Sequence, residues 1–552
     1  MKGNRLSNMM WAGPSFQVPS MTMGVLLINP HYPISETPSP PLGLACLAGA
    51  LEHAGIDVRM LDFVVTPYAT SVLENVLDDV APALVGVTAV TMTFEDAIAI
   101  VREVKHISPE VSTIMGGPHV SFRAGPTLNR FPELDYIICG EGETALVKLA
   151  KAVAAGDGWQ TIPSLAYRDG TDIVWNPKSR HTAEVDHLPT PARHHIMLGR
   201  YRALGLPVSM TTSRGCPHHC IFCVGRRMNG RGVSYRSPVS VVDELEFLSS
   251  LGFHQINLAD DLFTANPNHC RAVCREIVWR GLTPTWTAFA RVDSVSRDLL
   301  EEMRAAGCHT VSFGVESANP KILATIQKGI TRSQVILAVQ ACVDSGITPQ
   351  VSFILGLPGE TPETMAETIQ FGNVLKSMGA LHGFHLLAPF PGTEVRKRAH
   401  DYGIRILHNN WRQYHANRAV VETPTVSRRM LDDVIIQWEE EFDDYLGDVQ
   451  KRAATGSASE EEIWQLTRLE HTVILYELMM DRTIEKHGAW QNGTGPVSSE
   501  EAIDGLVKRI GPGRQFTKDQ LFNTLLFAFG TGSIRYRLGN GLIQWGWVDY
   551  LK

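Results

Sequence analysis

At 552 residues the chain has room for three or four domains of about 150 residues each. Its 44% hydrophobic, 20% charged and 8% aromatic content excludes a disordered, collagen-like or coiled-coil protein over most of its length. Residues 23–155 carry 7 Lys and Arg against 15 Asp and Glu, which accounts for the whole net charge of −8, and neither part has the basic excess of a nucleic-acid binder.

Residues 1–22, rich in Met, Ser and Pro, read as a disordered lead-in. Over 23–155, short apolar strands alternate with amphipathic helices: GVLLI (24–28), DVRML (57–61), LVGVT (84–88), STIM (112–115) and YII (136–138). Five such steps predict an α/β domain with a doubly wound parallel sheet, whose ligand crevice lies at the carboxyl ends of the strands. The loops at those ends, including TAVTMTF (88–94), GGPHVS (116–121) and GEGET (140–144), place glycines where backbone must approach something closely. No G-x-G-x-x-G follows the first strand, so a dinucleotide site is not indicated.

Residues 156–205 read as a Pro- and His-punctuated connector with little periodicity. Residues 206–395 resume the strand-helix rhythm, with strands expected near 207–212, 255–259, 285–290, 309–314, 350–355 and 383–388. Six units predict a partial (β/α)6 TIM-type barrel with its chemistry at the C-terminal mouth of the strands. Residues 396–552 are expected to be mainly helical, with helices starting near Ser427, after Ser459 with Glu462 completing a capping box, and after Thr517 with Gln520. The stretch 491–499 reads as a loop and the aromatic end 543–551 as an amphipathic tail. No apolar run reaches the ~18–20 residues that span a bilayer, and no export signal is seen, so the expected location is cytoplasmic.

Nine cysteines in such a chain fit a disulfide framework poorly. The motif CPHHCIFC places Cys216, Cys220 and Cys223 on one loop just after the first barrel strand. Three thiolates there can hold three corners of a four-iron, four-sulfur (4Fe-4S) cube and leave the fourth iron open. A zinc ion would want a fourth protein ligand, and His218 and His219 sit between the cysteines, where closing a tetrahedron is hard. Cys46, Cys139, Cys270, Cys274, Cys308 and Cys342 read as small buried hydrophobes. The loop 214–236 carries Arg214, Arg226, Arg227, Arg231 and Arg236 without an acid, either as a solvated basic loop or as a bidentate holder of carboxylate or phosphate.

The cysteine motif, with Phe222 before its last thiol, resembles the radical S-adenosylmethionine (SAM) superfamily. That resemblance implies that the open iron chelates SAM, and that one electron from the cluster cleaves it to a 5′-deoxyadenosyl radical. It extends to LADDLFT (258–264), AFARVD (288–293), VSFGVES (311–317) and FILGLPGET (353–361), and implies cofactor contacts from Asp260, Asp261, Arg291 and Glu316. The superfamily's more usual G-G-E is absent here, and strand-end acids also serve as helix caps. Upstream, LLINPHYP, PPLGLACLAGAL, MGGPHVSF and ICGEGET together resemble the cobalamin-binding domain found fused ahead of such barrels. This second resemblance implies corrin or nucleotide-tail contacts from Thr88, Thr91, Gly116, Gly117, His119, Gly140 and Glu141. The D-x-H-x-x-G loop that supplies a histidine to cobalt is missing, and ligation by His31 is the less favoured alternative.

Together the resemblances imply a cobalamin-dependent radical SAM methyltransferase acting on an unactivated carbon or phosphorus centre. They also imply a small-molecule or peptide substrate and an electron donor such as flavodoxin or ferredoxin. Two other readings stand beside it: ring formation or contraction with the same cofactors, and a non-catalytic cobalamin or metal sensor.

Overall fold

The structure is a computed structural model that describes residues 24–177, 185–230, 232–253, 255–491, 498–511, 516–539 and 541–551; the lead-in 1–22 and Arg231 lie outside them. The five apolar runs of the first region form strands β1 (Gly24–Asn29), β2 (Asp57–Asp62), β3 (Leu84–Thr88), β4 (Ser112–Gly116) and β5 (Tyr136–Ile138), all parallel. Helices cover both faces, so Val25, Leu26, Leu27 and Ile28 are wholly buried and the run is uniformly apolar. Strand order is 2-1-3-4-5, and the reversal between β1 and β3 opens the crevice where such sheets bind ligands.

The connector holds more structure than its composition suggests. Two further strands, β6 (Leu165–Asp169) and β7 (Asp172–Trp175), add to β5 as an antiparallel hairpin turned at Gly170. The helix Leu198–Ala203 then locks the first sheet to the rest: Tyr201 donates to the buried Asp62 carboxylate at 2.8 Å, and Arg200 donates to the Val65 carbonyl at 2.8 Å and to Asp549 at 2.6 Å.

Six parallel strands follow as an open barrel: Val208–Met210, Ile256–Leu258, Trp286–Ala290, Cys308–Glu316, Thr348–Leu355 and Leu381–Leu386. Each hydrogen-bonds only to its chain neighbours in the sheet, and the first and last strands do not pair. The helices between them start on side-chain caps at Ser237, Asn266, Ser296, Thr331 and Thr361, which satisfy their first free amides.

The C-terminal region is mainly helical, as expected, with one small antiparallel sheet added at its end. Long helices run over Arg428–Ala454, Glu460–Met480 and Lys518–Gly530, capped by Ser427, Ser459 and Thr517 as the sequence predicts. A further helix, Ser499–Ile510, begins on a capping box of Ser498 and Glu501. The aromatic end is a strand, Leu542–Trp547, in the middle of an antiparallel sheet with Ala489–Gln491 and Ile534–Gly539. Trp545 is buried there against Phe529 and Tyr536, and past the strand Gly199 donates to the Asp549 carbonyl at 2.9 Å. Among the described residues no helix is long and apolar enough to cross a membrane.

Candidate active site between the two sheets

The carboxyl ends of both sheets line one cavity of about 400 Å³. The first sheet contributes Thr88, Gly116, Gly117, Gly140 and Glu141; the barrel contributes Thr211, Ser213, Arg214 and Asp261. Its floor reaches down to Leu27, Gly86 and Ile114, between the sheet and the helices Leu42–His53 and Glu143–Ala155. Glycine makes this space. A Cβ on Gly116 would meet nothing within 4 Å, and one on Gly140 would meet only the Met228 carbonyl at 3.8 Å, so both open onto the void. Gly117 is different: with φ +104° its Cβ would lie 2.5 Å from the Ala89 carbonyl oxygen, so a close backbone approach requires glycine there. A slot cut into a sheet edge by missing side chains fits a large flat ligand with a tail.

Two predicted residues of this group lie elsewhere. His119 is buried with its ring stacked on Phe94 at 4.2 Å and edge-on to Trp411 at 4.8 Å, while its Nδ1 lies 3.3 Å from Thr91 Oγ1. Burial, with Arg123 and Arg396 nearby, pushes its pKa down to about 3 and keeps the ring neutral. Thr91 and His119 therefore pack the core beneath the sheet edge and do not line the cavity. His31 also lies outside it, on an exposed loop 3.4 Å from the Tyr476 hydroxyl.

The cysteine loop begins beside this cavity. Gly215 turns it with φ +106°, where a Cβ would meet the Gly232 carbonyl. Ile221 plugs it to the barrel: it is buried, donates to the Ile326 carbonyl at 3.2 Å and accepts from the Val395 amide at 3.0 Å. Cys216, Cys220 and Cys223 then line one groove with His218, Arg226 and Gln327. Burial raises all three thiols above the usual cysteine range.

The predicted acids differ in availability. Asp260 is buried and saturated, accepting from the Thr212 amide at 2.6 Å, the Thr212 hydroxyl at 2.5 Å and the Ser213 hydroxyl at 2.7 Å. It welds the first two barrel strands together and has little left for a ligand. Asp261 faces the cavity, accepts from the Gly215 amide at 3.1 Å and from Asn229 at 2.8 Å, and so holds the cysteine loop at both ends. Arg291 is clamped in a two-point contact with Asp293 at 2.9 Å and donates to the Lys328 carbonyl at 2.7 Å. Glu316 sits at φ +69°, a strained region for a side-chain-bearing residue, and pairs with the buried Lys328 ammonium at 2.7 Å. That ammonium lies 5.9 Å above the Phe222 ring. Three basic-loop arginines are consumed by pairs: Arg214 with Glu141 and Glu143, Arg227 with Glu394, and Arg236 with Glu244. Arg226 is the exception, since its buried Nη1 has no partner among the described residues.

Sequence reading missed two residues here. Lys328 carries no motif signal, and only the fold brings it under the cysteine loop. Glu360, the last residue of GLPGE, is fully buried and accepts from the Gly356 and Leu357 amides at 2.6 and 3.2 Å, while its Oε1 has no partner. Burial pushes its pKa up to about 7.

Residues 210–372 match the radical SAM superfamily pattern and residues 35–150 match the B12 binding domain pattern. The chain is 35% identical over 401 residues to an uncharacterized methyltransferase of Pyrococcus horikoshii, covering 71% of this chain and 86% of that one. It is 31% identical over 398 residues to the anaerobic magnesium-protoporphyrin IX monomethyl ester cyclase of Cereibacter sphaeroides, covering 69% of this chain and 64% of that one. Its fold matches that of the cobalamin-dependent S-adenosylmethionine radical enzyme OxsB, solved with aqua-cobalamin and S-adenosylmethionine, with a TM-score of 0.65 at 16% identity over 92% of this chain and 84% of that one. The protein is thus an enzyme of the cobalamin-binding radical SAM family, methyltransferase-like in type, whose cofactors are a 4Fe-4S cluster, SAM and cobalamin.

Proposed function

We propose that the enzyme moves a methyl group to an unactivated carbon or phosphorus centre of a small molecule or peptide, and that the cavity between the two sheets is where it does so. The observation that carries this reading is the shared wall: Gly116 and Gly140 from the cobalamin-type sheet face Arg214 and Asp261 from the barrel across one space. The methyltransferase name of the 35% identical relative supports methyl transfer. The cyclase relative supports a second reading, in which the same cofactors drive ring formation without net methylation.

In this assignment Cys216, Cys220 and Cys223 hold three irons, while Phe222, Asp261, Glu316 and the unpaired Arg226 surround SAM. Thr88, Gly116, Gly117, Gly140 and Glu141 cradle cobalamin. When bound, the cluster supplies a low-potential electron, SAM a hydrogen-abstracting fragment and cobalamin the methyl group. The chain's own residues do the positioning. Asp261 fixes the cysteine loop through Gly215 and Asn229, and Arg214 ties that loop to the sheet edge through Glu141 and Glu143. Glu360 pins the turn at Gly356 and Leu357 beyond the fifth barrel strand. A low-potential cluster suits a reducing compartment, so a cytoplasmic setting with a flavodoxin- or ferredoxin-type donor belongs to the same reading.

The test is product stoichiometry. Enzyme loaded anaerobically with iron, sulfide and cobalamin, given methyl-labelled SAM, a reductant and extract fractions, should yield a labelled product with 5′-deoxyadenosine and S-adenosylhomocysteine in equal amounts. Deoxyadenosine without S-adenosylhomocysteine or transferred label would favour ring chemistry instead.

A further inference from the structure

Outside the cavity, three ligand-type side chains converge where the first module meets the connector. Glu52, one residue from the end of the helix Leu42–His53, meets His194 and His195 of the short turn Arg193–His195. Both imidazole Nε2 atoms lie 2.8 Å from the same carboxylate oxygen, and the two rings are 4.3 Å apart. All three ligand atoms lie within 4.8 Å of one another. We propose that Glu52, His194 and His195 form a binding site for a divalent first-row transition metal such as Zn²⁺, which clamps the cavity-lining helix to the connector that leads into the barrel.

Geometry and donor chemistry both favour this. A tetrahedral ion with bonds of about 2.1 Å wants ligand atoms about 3.4 Å apart, so the carboxylate need withdraw only by roughly half an ångström from each ring. Two imidazoles and one carboxylate suit zinc and its neighbours and leave a fourth position for water. That position is accessible, because the His194 side chain is 64% exposed while His195 is only 17% exposed.

The scaffold is rigid before any metal arrives. Ala192 donates to the Ala45 carbonyl at 2.8 Å, and a Cβ on Gly49 would lie 2.3 Å from the Thr190 carbonyl oxygen, so connector and helix are in backbone contact. Next to the histidines, the buried Arg193 is anchored on Glu244 and on the Ser209 carbonyl at 2.8 Å. The helix so clamped lines the cavity through Leu42, Cys46 and Leu47. A metal here would therefore brace one wall of the reaction space from outside.

The experiment uses cluster-loaded, cobalamin-loaded full-length enzyme, so that iron occupies the cysteine loop, and titrates it with Zn²⁺ alone against a chromophoric chelator. The expected result is one Zn²⁺ per chain. His195→Ala and Glu52→Gln should each weaken it by more than about tenfold, the loss that even an outer partner of a ligand brings, with iron and cobalamin content unchanged. The exposed His194→Ala serves as a second variant should His195→Ala fold poorly. Cobalt(II) in the same site should give visible d–d bands without thiolate charge transfer. No zinc uptake by the wild-type holoenzyme, or equal uptake by all the variants, overturns the proposal.

Discussion

The two parallel sheets prepare their mouths in opposite ways. The first sheet makes room by omission, with glycines at 116 and 140 whose absent side chains form the slot. The barrel fills its mouth with charge, and nearly every charge is already paired within the protein: Asp260 with hydroxyls and an amide, Arg291 with Asp293, and Glu316 with Lys328. A ligand entering the first module finds space, whereas one entering the barrel must exchange partners with groups that a low-dielectric interior holds tightly. Substitutions should therefore act on affinity in the first sheet and on the integrity of the site in the barrel.

The largest effect is expected in the cysteine loop. Cys216→Ala, Cys220→Ala or Cys223→Ala should each abolish cluster iron and deoxyadenosine formation while cobalamin retention persists, measured as iron, sulfide and corrinoid on anaerobically purified protein. Loss of both cofactors together would break the division between the modules. Next comes the buried ion pair. Lys328→Ala leaves the Glu316 carboxylate buried without its cation, which costs about 3–5 kcal/mol when such a pair is broken from one side. A much lower denaturation midpoint is expected, and the double variant Lys328→Met with Glu316→Gln should recover most of it.

Smaller effects should separate the glycines. Gly117→Ala forces a Cβ against the Ala89 backbone at a positive φ, and should cost about 1–2 kcal/mol for the conformation alone before the clash is counted. Gly116→Val enters open space, so its stability should change by less than about 0.5 kcal/mol while cobalamin binding weakens at least severalfold. Equal damage from both variants, read by thermal unfolding and corrinoid titration, would mean that the slot is a packing feature and not a binding one.

This contrast was only half legible in the sequence. Apolar runs bounded by glycine-rich loops placed all eleven predicted strands; β1 and β3 are buried on both faces and carry the pattern most plainly, whereas a barrel strand such as Thr348–Leu355 alternates buried with more open positions. The cysteine spacing pointed to the loop beside the cavity for the same reason: local chemistry is written locally. The antiparallel hairpin of β6 and β7 was missed although Asp169-Gly170 is a turn signal between two alternating runs. The strands at 534–539 and 542–547 were missed likewise, since Arg535, Arg537 and Gln544 interrupt their apolar content on the exposed face. Pairings such as Arg214 with Glu141, or Lys328 with Glu316, depend on which loops the fold brings together, and no spacing rule reports them.

The smallest expected effect concerns His119, the histidine that the cobalamin-domain resemblance assigns to the ligand. His119 packs between Phe94 and Trp411, so His119→Phe should preserve cobalamin affinity and cost only about 1 kcal/mol of stability at pH 7, for the lost contact with Thr91 Oγ1. Its protonation makes the test sharper. The folded ring stays neutral down to about pH 3, while in the unfolded chain it takes up a proton below its ordinary 6.5. The unfolded state thus binds more protons across that window, and the wild-type protein loses stability as pH falls through it, by about 1.4 kcal/mol per unit. His119→Phe removes this term, so moving from pH 7 to pH 5 should improve the variant by about 2 kcal/mol relative to wild type. A variant that lost cobalamin, or one whose difference from wild type stayed constant with pH, would return His119 to the binding site and remove the distinction drawn here between the slot and the core beneath it.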